Sequence, residues 1–284
     1  MRIFMTGATG YIGGAVAAAL THAGHEVAAL VRPDAEARHL RDLGVFIVTG
    51  DLSSLPEMGE TLANYDAYVH TAQPSKDAEP AVRAAIDAFT AQSGHLVYTS
   101  GVWVLGNTDG ADENAPVNPL TIVGWRPAIE EMVLGAGGAV LRPGCVYGGK
   151  QSLLADWFAS AEQQQPLRLV GDGTNRWAMV DLHELADLYV KAVEQRATGV
   201  LHGIDDSDAT LEECARAVAP DATFQKTPLA DAREKLGPFA EALAVDQRIS
   251  SSYTRQKLGW NPRRTFVGSI NGQWQEWREA QRAG

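Results

Sequence analysis

The stretch that most constrains this chain is its first thirteen residues, Met1-Arg-Ile-Phe-Met-Thr-Gly-Ala-Thr-Gly-Tyr-Ile-Gly13. The apolar run Ile3 to Met5 reads as a short buried strand that breaks at Gly7, and glycine recurs at Gly10 and Gly13. A helical pattern follows, with Ile12, Val16, Leu20 and Ala23 on one face and Gly24 as its stop. Strand, glycine turn and helix in that order can cradle a phosphate. Gly7 permits the tight turn, Gly10 lets a pyrophosphate approach the backbone, and Gly13 allows close helix–strand packing. The helix N-terminus adds unpaired N–H groups and a positive dipole end. The spacing is Gly-x-x-Gly-x-x-Gly rather than Gly-x-Gly-x-x-Gly, and a bare structural turn would also use glycine. Its setting between strand and helix favours a bound dinucleotide, with Gly7, Thr9, Gly10, Tyr11, Ile12 and Gly13 as contacts.

A second apolar strand, Glu26 to Val31, runs into Arg32, 32 − 13 = 19 residues beyond Gly13. That is close to the ~20 at which such folds place the ribose-reading side chain. An acidic residue there accepts from ribose hydroxyls; arginine suits a 2′-phosphate instead, so NADP(H) is expected over NAD(H). Asp34 nearby keeps open a merely solvated arginine. A helix bearing Ala37, Leu40 and Leu43 leads to the strand Val45–Val48, and Asp51 and Leu52 just beyond it are placed to meet an adenine. Tyr65 to Gln73 reads as a fourth strand ending at the cofactor, with Thr71, Ala72 and Gln73 as contacts. Helix Ala78–Ser93 and strand Leu96–Ser100 follow, and Thr99 joins the cofactor set. This alternation predicts an α/β fold, a Rossmann-type doubly wound parallel sheet with right-handed crossovers.

Past Tyr147 the pattern changes. A helix is expected over Ser152–Gln164, another opening at Met179, a late strand at Val200–Ile204 and a tryptophan-bearing helix over Phe266–Arg282. We therefore divide the chain into a dinucleotide-binding domain, residues 1–150 with 176–204 completing its sheet, and a smaller C-terminal substrate lobe from 151–175 and 205–284.

Composition narrows the partners. A net charge of −11 over 284 residues disfavours nucleic acid and anionic membrane, both of which require basic patches. No apolar run approaches the ~20 residues that span a bilayer. The first residues lack the apolar core of a signal peptide. Cys145 and Cys214 form no metal spacing and no disulfide framework. A cytoplasmic protein with a small-molecule substrate and no metal is expected.

Five landmarks in order, Thr6-Gly-Ala-Thr-Gly-Tyr-Ile-Gly13, Gly50-Asp-Leu52, Tyr65-Asp-Ala-Tyr-Val-His-Thr-Ala72, Leu141-Arg-Pro-Gly-Cys-Val-Tyr-Gly148 and Leu258-Gly-Trp-Asn-Pro262, resemble the extended short-chain dehydrogenase/reductase and nucleotide-sugar epimerase/dehydratase superfamily. The resemblance implies cofactor contacts at Pro143, Gly144, Cys145 and Val146, and a homodimer formed through the two helices flanking the active-site segment. It also implies a tyrosine and, four residues later, a lysine on one helix, with a serine or threonine at the end of the fifth strand. The lysine lowers the tyrosine pKa, and the tyrosine serves as acid or base. Here, aligning Glu130 with the family's glutamate puts Ile122 at the tyrosine position and Arg126 at the lysine position. No lysine lies between Lys76 and Lys150, and no tyrosine between Tyr98 and Tyr147. The usual serine position falls on Gly101, one residue from Ser100. The pair Tyr253 and Lys257 matches the spacing but lies beside the Leu258–Pro262 landmark of the C-terminal lobe.

Three residues stand as catalytic candidates. Arg126 could hold ribose hydroxyls or polarise a substrate oxygen, though it stays protonated and is no general base. Ser100 could donate to a substrate oxygen, and Tyr147 could act as an acid or simply pack. Cys145 has no adjacent base to activate it. Trp103, Trp125 and Trp177 are expected at the cleft as aromatic walls, which suit an apolar or planar substrate. Arg176 matches a position that contacts substrate phosphate in sugar-nucleotide members. His70 reads as a core histidine. The readings that follow are an atypical oxidoreductase on a small carbonyl, imine or enone; a non-redox isomerase, lyase or cyclase; or a non-enzymatic NADP(H) sensor.

Overall fold

The computed structural model describes residues 1–74, 78–149 and 151–282. Lys76 and Lys150, the lysines flanking the active-site segment in sequence, lie outside the described residues.

Strands β1 (Arg2–Thr6), β2 (Glu26–Val31), β3 (Phe46–Thr49), β4 (Ala67–His70) and β5 (His95–Thr99) join Ala139–Pro143 and Gly199–Gly203 in a seven-stranded sheet. Its order is β3-β2-β1-β4-β5, then 139–143 and 199–203, and every pairing is parallel. Met5, for example, lies between Ala29 and Val69. Because both faces are covered, the strands read as continuous apolar runs rather than alternating ones. In β1, Ile3 and Met5 belong to one core and Phe4 to the other.

On the first face pack α1 (Tyr11–His22) and α4 (Leu182–Glu194), which bury Val16, Leu20, Leu188 and Tyr189. On the second, α2 (Ala78–Thr90) and α3 (Arg126–Gly135) bury Ile86, Phe89, Ile129 and Val133 against Tyr68 and Tyr98. A third core gathers Tyr147, Trp157, Phe158, Trp177, Phe266 and Trp277 from the later part of the chain. The chain winds outward from β1 to β3 and then returns to β4 and β5. This opens a crevice at the carboxyl ends of β1 and β4, where ligands of such sheets bind.

The sequence expectations differ from the structure mainly at element ends. Met179–Asp181 is a short strand paired with Cys145–Tyr147, not the start of a helix. The helix begins at Leu182 because Asp181 caps it, accepting from the His183 and Glu184 amides at 2.9 and 3.2 Å. The helix expected from Ser152 begins at Ala155, and the last one at Ile270 rather than Phe266. No helix among the described residues is long and apolar enough to cross a membrane.

Candidate functional site

A cleft of about 810 Å³ lies over the carboxyl ends of β1, β2, β4 and β5, within the size range of small-molecule and cofactor sites. Its floor is the glycine turn. Gly7 sits at φ +82, and a Cβ there would come within 2.5 Å of the Ala72 amide nitrogen. A Cβ on Gly13 would stand 2.0 Å from the Gly7 carbonyl, so only glycine lets α1 start this close to β1. No side chain among the described residues caps α1, so the amides of its first turn remain available to an anion. These features fit a dinucleotide pyrophosphate.

Of the cofactor contacts read from sequence, Gly7, Thr9, Gly10, Tyr11, Ile12, Gly13, Arg32, Asp51, Leu52, Thr71, Ala72, Gln73 and Thr99 all line this cleft. Arg32 is exposed and 3.8 Å from Asp34, and among the described residues most of its guanidinium donors have no partner. The Asp51 carboxylate accepts from the Ser53 amide and hydroxyl at 2.8 and 2.5 Å, and these bonds hold its pKa below the ordinary carboxylate value. Asp51 therefore caps the turn that follows it, besides facing the cleft. The Tyr11 phenol donates to the Gly148 carbonyl at 2.6 Å, tying α1 to the loop after Tyr147.

Pro143, Gly144, Cys145 and Val146 do not line the cleft. A Cβ on Gly144 would lie 2.4 Å from the Ala178 carbonyl, so this glycine serves the tight crossing of two strands. Burial pushes the Cys145 thiol up to about 12, which removes it as a nucleophile.

The catalytic candidates separate. Arg126 opens α3 and lines the cleft. Its Nη1 donates to the Ser100 carbonyl at 2.7 Å, its Nη2 to the Gln73 amide oxygen, and its guanidinium lies 5.7 Å from the Trp125 ring centroid. Burial lowers its pKa from that of a free arginine, yet arginine stays charged at neutral pH. Ser100 also lines the cleft, with its hydroxyl engaged by a buried carboxylate. It donates to Glu130, whose carboxylate also takes Nε and Nη2 of Arg142 at 3.1 and 2.5 Å, and all three residues are buried. β5 ends at Thr99, one residue before the end read from sequence, and Ser100 follows it with its hydroxyl on the buried Glu130 carboxylate and its carbonyl on Arg126.

Tyr147, by contrast, does not line the cleft. It is fully buried against Phe266 and donates to Asp205 at 3.3 Å. Burial and the neighbouring Asp205 and Asp181 raise its pKa far above the ordinary phenol. Among the aromatic candidates only Trp125 lines the cleft. Trp103 packs on Phe239, Trp177 belongs to the third core, and Arg176 is ion-paired with Asp208 at 3.0 Å. Their segments fold against the later part of the chain, a placement that loop position alone does not reveal. Ile122 packs into a separate apolar cluster with Val102 and Ile249. His70 is buried and neutral, desolvation holding its pKa at about 4. Tyr253 and Lys257 bond to each other at 3.1 Å at an exposed position remote from the cleft. Sequence reasoning missed Leu30, Ser53, Pro74, Ala81, Val82 and Tyr98 on the cleft wall. Leu30 could have been found by strand alternation from Arg32, and Val82 by the apolar period of α2. No group of three His, Cys, Asp or Glu side chains that could hold a metal ion occurs among the described residues.

The sequence model of the NAD dependent epimerase/dehydratase family matches residues 3–204. The chain belongs to this family. Its members bind NAD(P), and membership places the chain among dinucleotide-dependent enzymes. It is 28% identical over 281 residues to an uncharacterised protein of Schizosaccharomyces pombe, covering 92% of this chain and 95% of that one. It is 29% identical over 228 residues to 2-alkyl-3-oxoalkanoate reductase of Stenotrophomonas maltophilia, covering 70% of this chain and 67% of the reductase. In fold it is similar to dTDP-glucose 4,6-dehydratase of Streptomyces venezuelae, solved with NAD, at a TM-score of 0.83 and 17% identity, covering 100% and 98% of the two chains. A human epimerase family protein solved with NADPH aligns at a TM-score of 0.80 and 19% identity, covering 97% of this chain and 99% of that one.

Proposed function

We propose that this family member is an NADP-dependent oxidoreductase acting on a small, apolar carbonyl, imine or enone, with Arg126 standing in for the usual tyrosine–lysine pair. The observation that carries the reading is the Arg126 guanidinium, held on the cleft wall by Ser100 and Gln73 beside the Trp125 ring. When bound, the dinucleotide supplies the hydride. The chain's own part is then to bind it on the α1 amides and to present a fixed positive charge to oxygen atoms in the cleft. Arg126 polarises and positions; the proton comes from water. The exposed Arg32 guanidinium supports NADP(H) over NAD(H), since it offers charge-assisted bonds to a 2′-phosphate. Likeness to a reductase acting on 3-oxoalkanoates supports a carbonyl substrate.

The test is NADPH consumption by the native protein over a panel of small carbonyls, imines and enones. Tight NADPH binding without turnover on any of them would replace this reading with that of an NADP(H) sensor. NADPH should raise the melting temperature more than NADH at matched concentration, and Arg32→Asp should abolish that difference. Equal shifts in the native protein would refute the role given to Arg32.

A further inference from the structure

Two departures from the family pattern, glycine at 101 and arginine at 126, meet in space. A Cβ built on Gly101 would lie 2.7 Å from Arg126 Nη1, while its next neighbour, the Pro143 carbonyl, is at an ordinary 3.9 Å. The backbone at Gly101 is extended, with φ 169, a conformation any residue adopts. Glycine is therefore not required there by the turn or by the backbone packed around it. Among the described residues, the group that a side chain there would displace is the guanidinium.

Resting on the function proposed above, we infer that Gly101 is a positioning residue. Its vacant side-chain volume is the berth of Arg126, and the two form a coupled unit that holds oxygen atoms of the bound dinucleotide's ribose. Lysine reaches such a site as a single ammonium group and leaves room for a neighbouring serine hydroxyl. A planar guanidinium is wider. It lies across the end of β5, spends one N–H on the Ser100 carbonyl and one on Gln73, and keeps the remaining Nη hydrogens for the cleft. A methyl or hydroxymethyl group at 101 cannot share that volume. It pushes away the flexible end of Arg126 while leaving the fold intact.

The experiment is a double-mutant cycle on the full chain with Gly101→Ser, Arg126→Ala and both together, read by the NADPH dissociation constant. Gly101→Ser should weaken NADPH binding by about tenfold or more, the loss of a charge-assisted hydrogen bond. In the Arg126→Ala background the same change should cost less than about twofold, because contacting residues are non-additive. A second readout needs no cofactor. Phenylglyoxal modification of the Arg126 peptide, followed by mass spectrometry, should quicken several-fold in Gly101→Ser as the guanidinium leaves its berth. Should the serine variant fail to fold, Gly101→Ala adds only the Cβ that would meet Arg126 Nη1. Equal losses of affinity in both backgrounds, or unchanged Arg126 reactivity, would overturn the coupling. If the native protein does not bind NADPH, the proposed function falls, and the reactivity measurement still decides the coupling.

Discussion

Glu130→Gln should destabilise this protein sharply although it removes no atom of bulk. Glu130 and Arg142 are 3% and 4% exposed, with Nη2 to Oε2 at 2.5 Å. The amide keeps the shape and one acceptor for the Ser100 hydroxyl, but it leaves the Arg142 charge buried without a counter-charge. Arg142 Nη1 already lacks a partner among the described residues. Breaking a buried pair from one side costs about 3–5 kcal/mol. With an unfolding entropy of about 2.1 cal/mol/K per residue, a chain of 284 residues loses roughly 1 °C of Tm for each ~0.6 kcal/mol. The expected drop is about 5–8 °C, measured by circular dichroism at neutral pH. The double variant Glu130→Leu with Arg142→Met, which removes both charges, should recover much of it. A Glu130→Gln protein melting within about 1 °C of the native one would refute the argument that this pair is desolvated and mutually dependent.

Gly13→Ala places a Cβ 2.0 Å from the Gly7 carbonyl. It should abolish the thermal shift given by NADPH, and an unchanged shift would show that the glycine turn is not the cofactor's seat. Asp205 is held by burial at about 6 against its ordinary 3.8. The folded state therefore retains this proton longer than the unfolded one, and the group costs stability as pH rises from 3.8 through about 6. Asp205→Asn should gain Tm relative to the native protein between ~pH 4 and ~pH 7; a constant difference across that range would count against it.

The nucleotide-binding half was legible because its determinants are local. A glycine turn between an apolar strand and an amphipathic helix specifies its geometry within thirteen residues, and Arg32 follows by counting. Element ends were less legible where a cap decides them, as Asp181 does by its two amide bonds. The candidates Tyr147, Trp103, Arg176 and Trp177 misled for a different reason. Their surroundings depend on Phe239, Phe266, Asp205 and Asp208, residues far along the chain whose contacts no periodicity encodes. Ser100 was legible as a residue at the cleft, but the partner of its hydroxyl, Glu130, lies 30 residues on and no local pattern points to it.

The order of the sheet also bears on how the chain is made. Strand 139–143 borders β5 on one side, and its other edge is covered only by residues 199–203. During synthesis, β1 to β5 and strand 139–143 are made before α4 and strand 199–203. For that interval the nascent sheet carries an open parallel edge of buried residues, Val140 and Leu141 among them, the kind of surface that recruits foreign strands. Slowed translation between residues 144 and 198 would prolong that exposure, so the yield of soluble protein should depend on codon choice in this interval more than elsewhere in the chain.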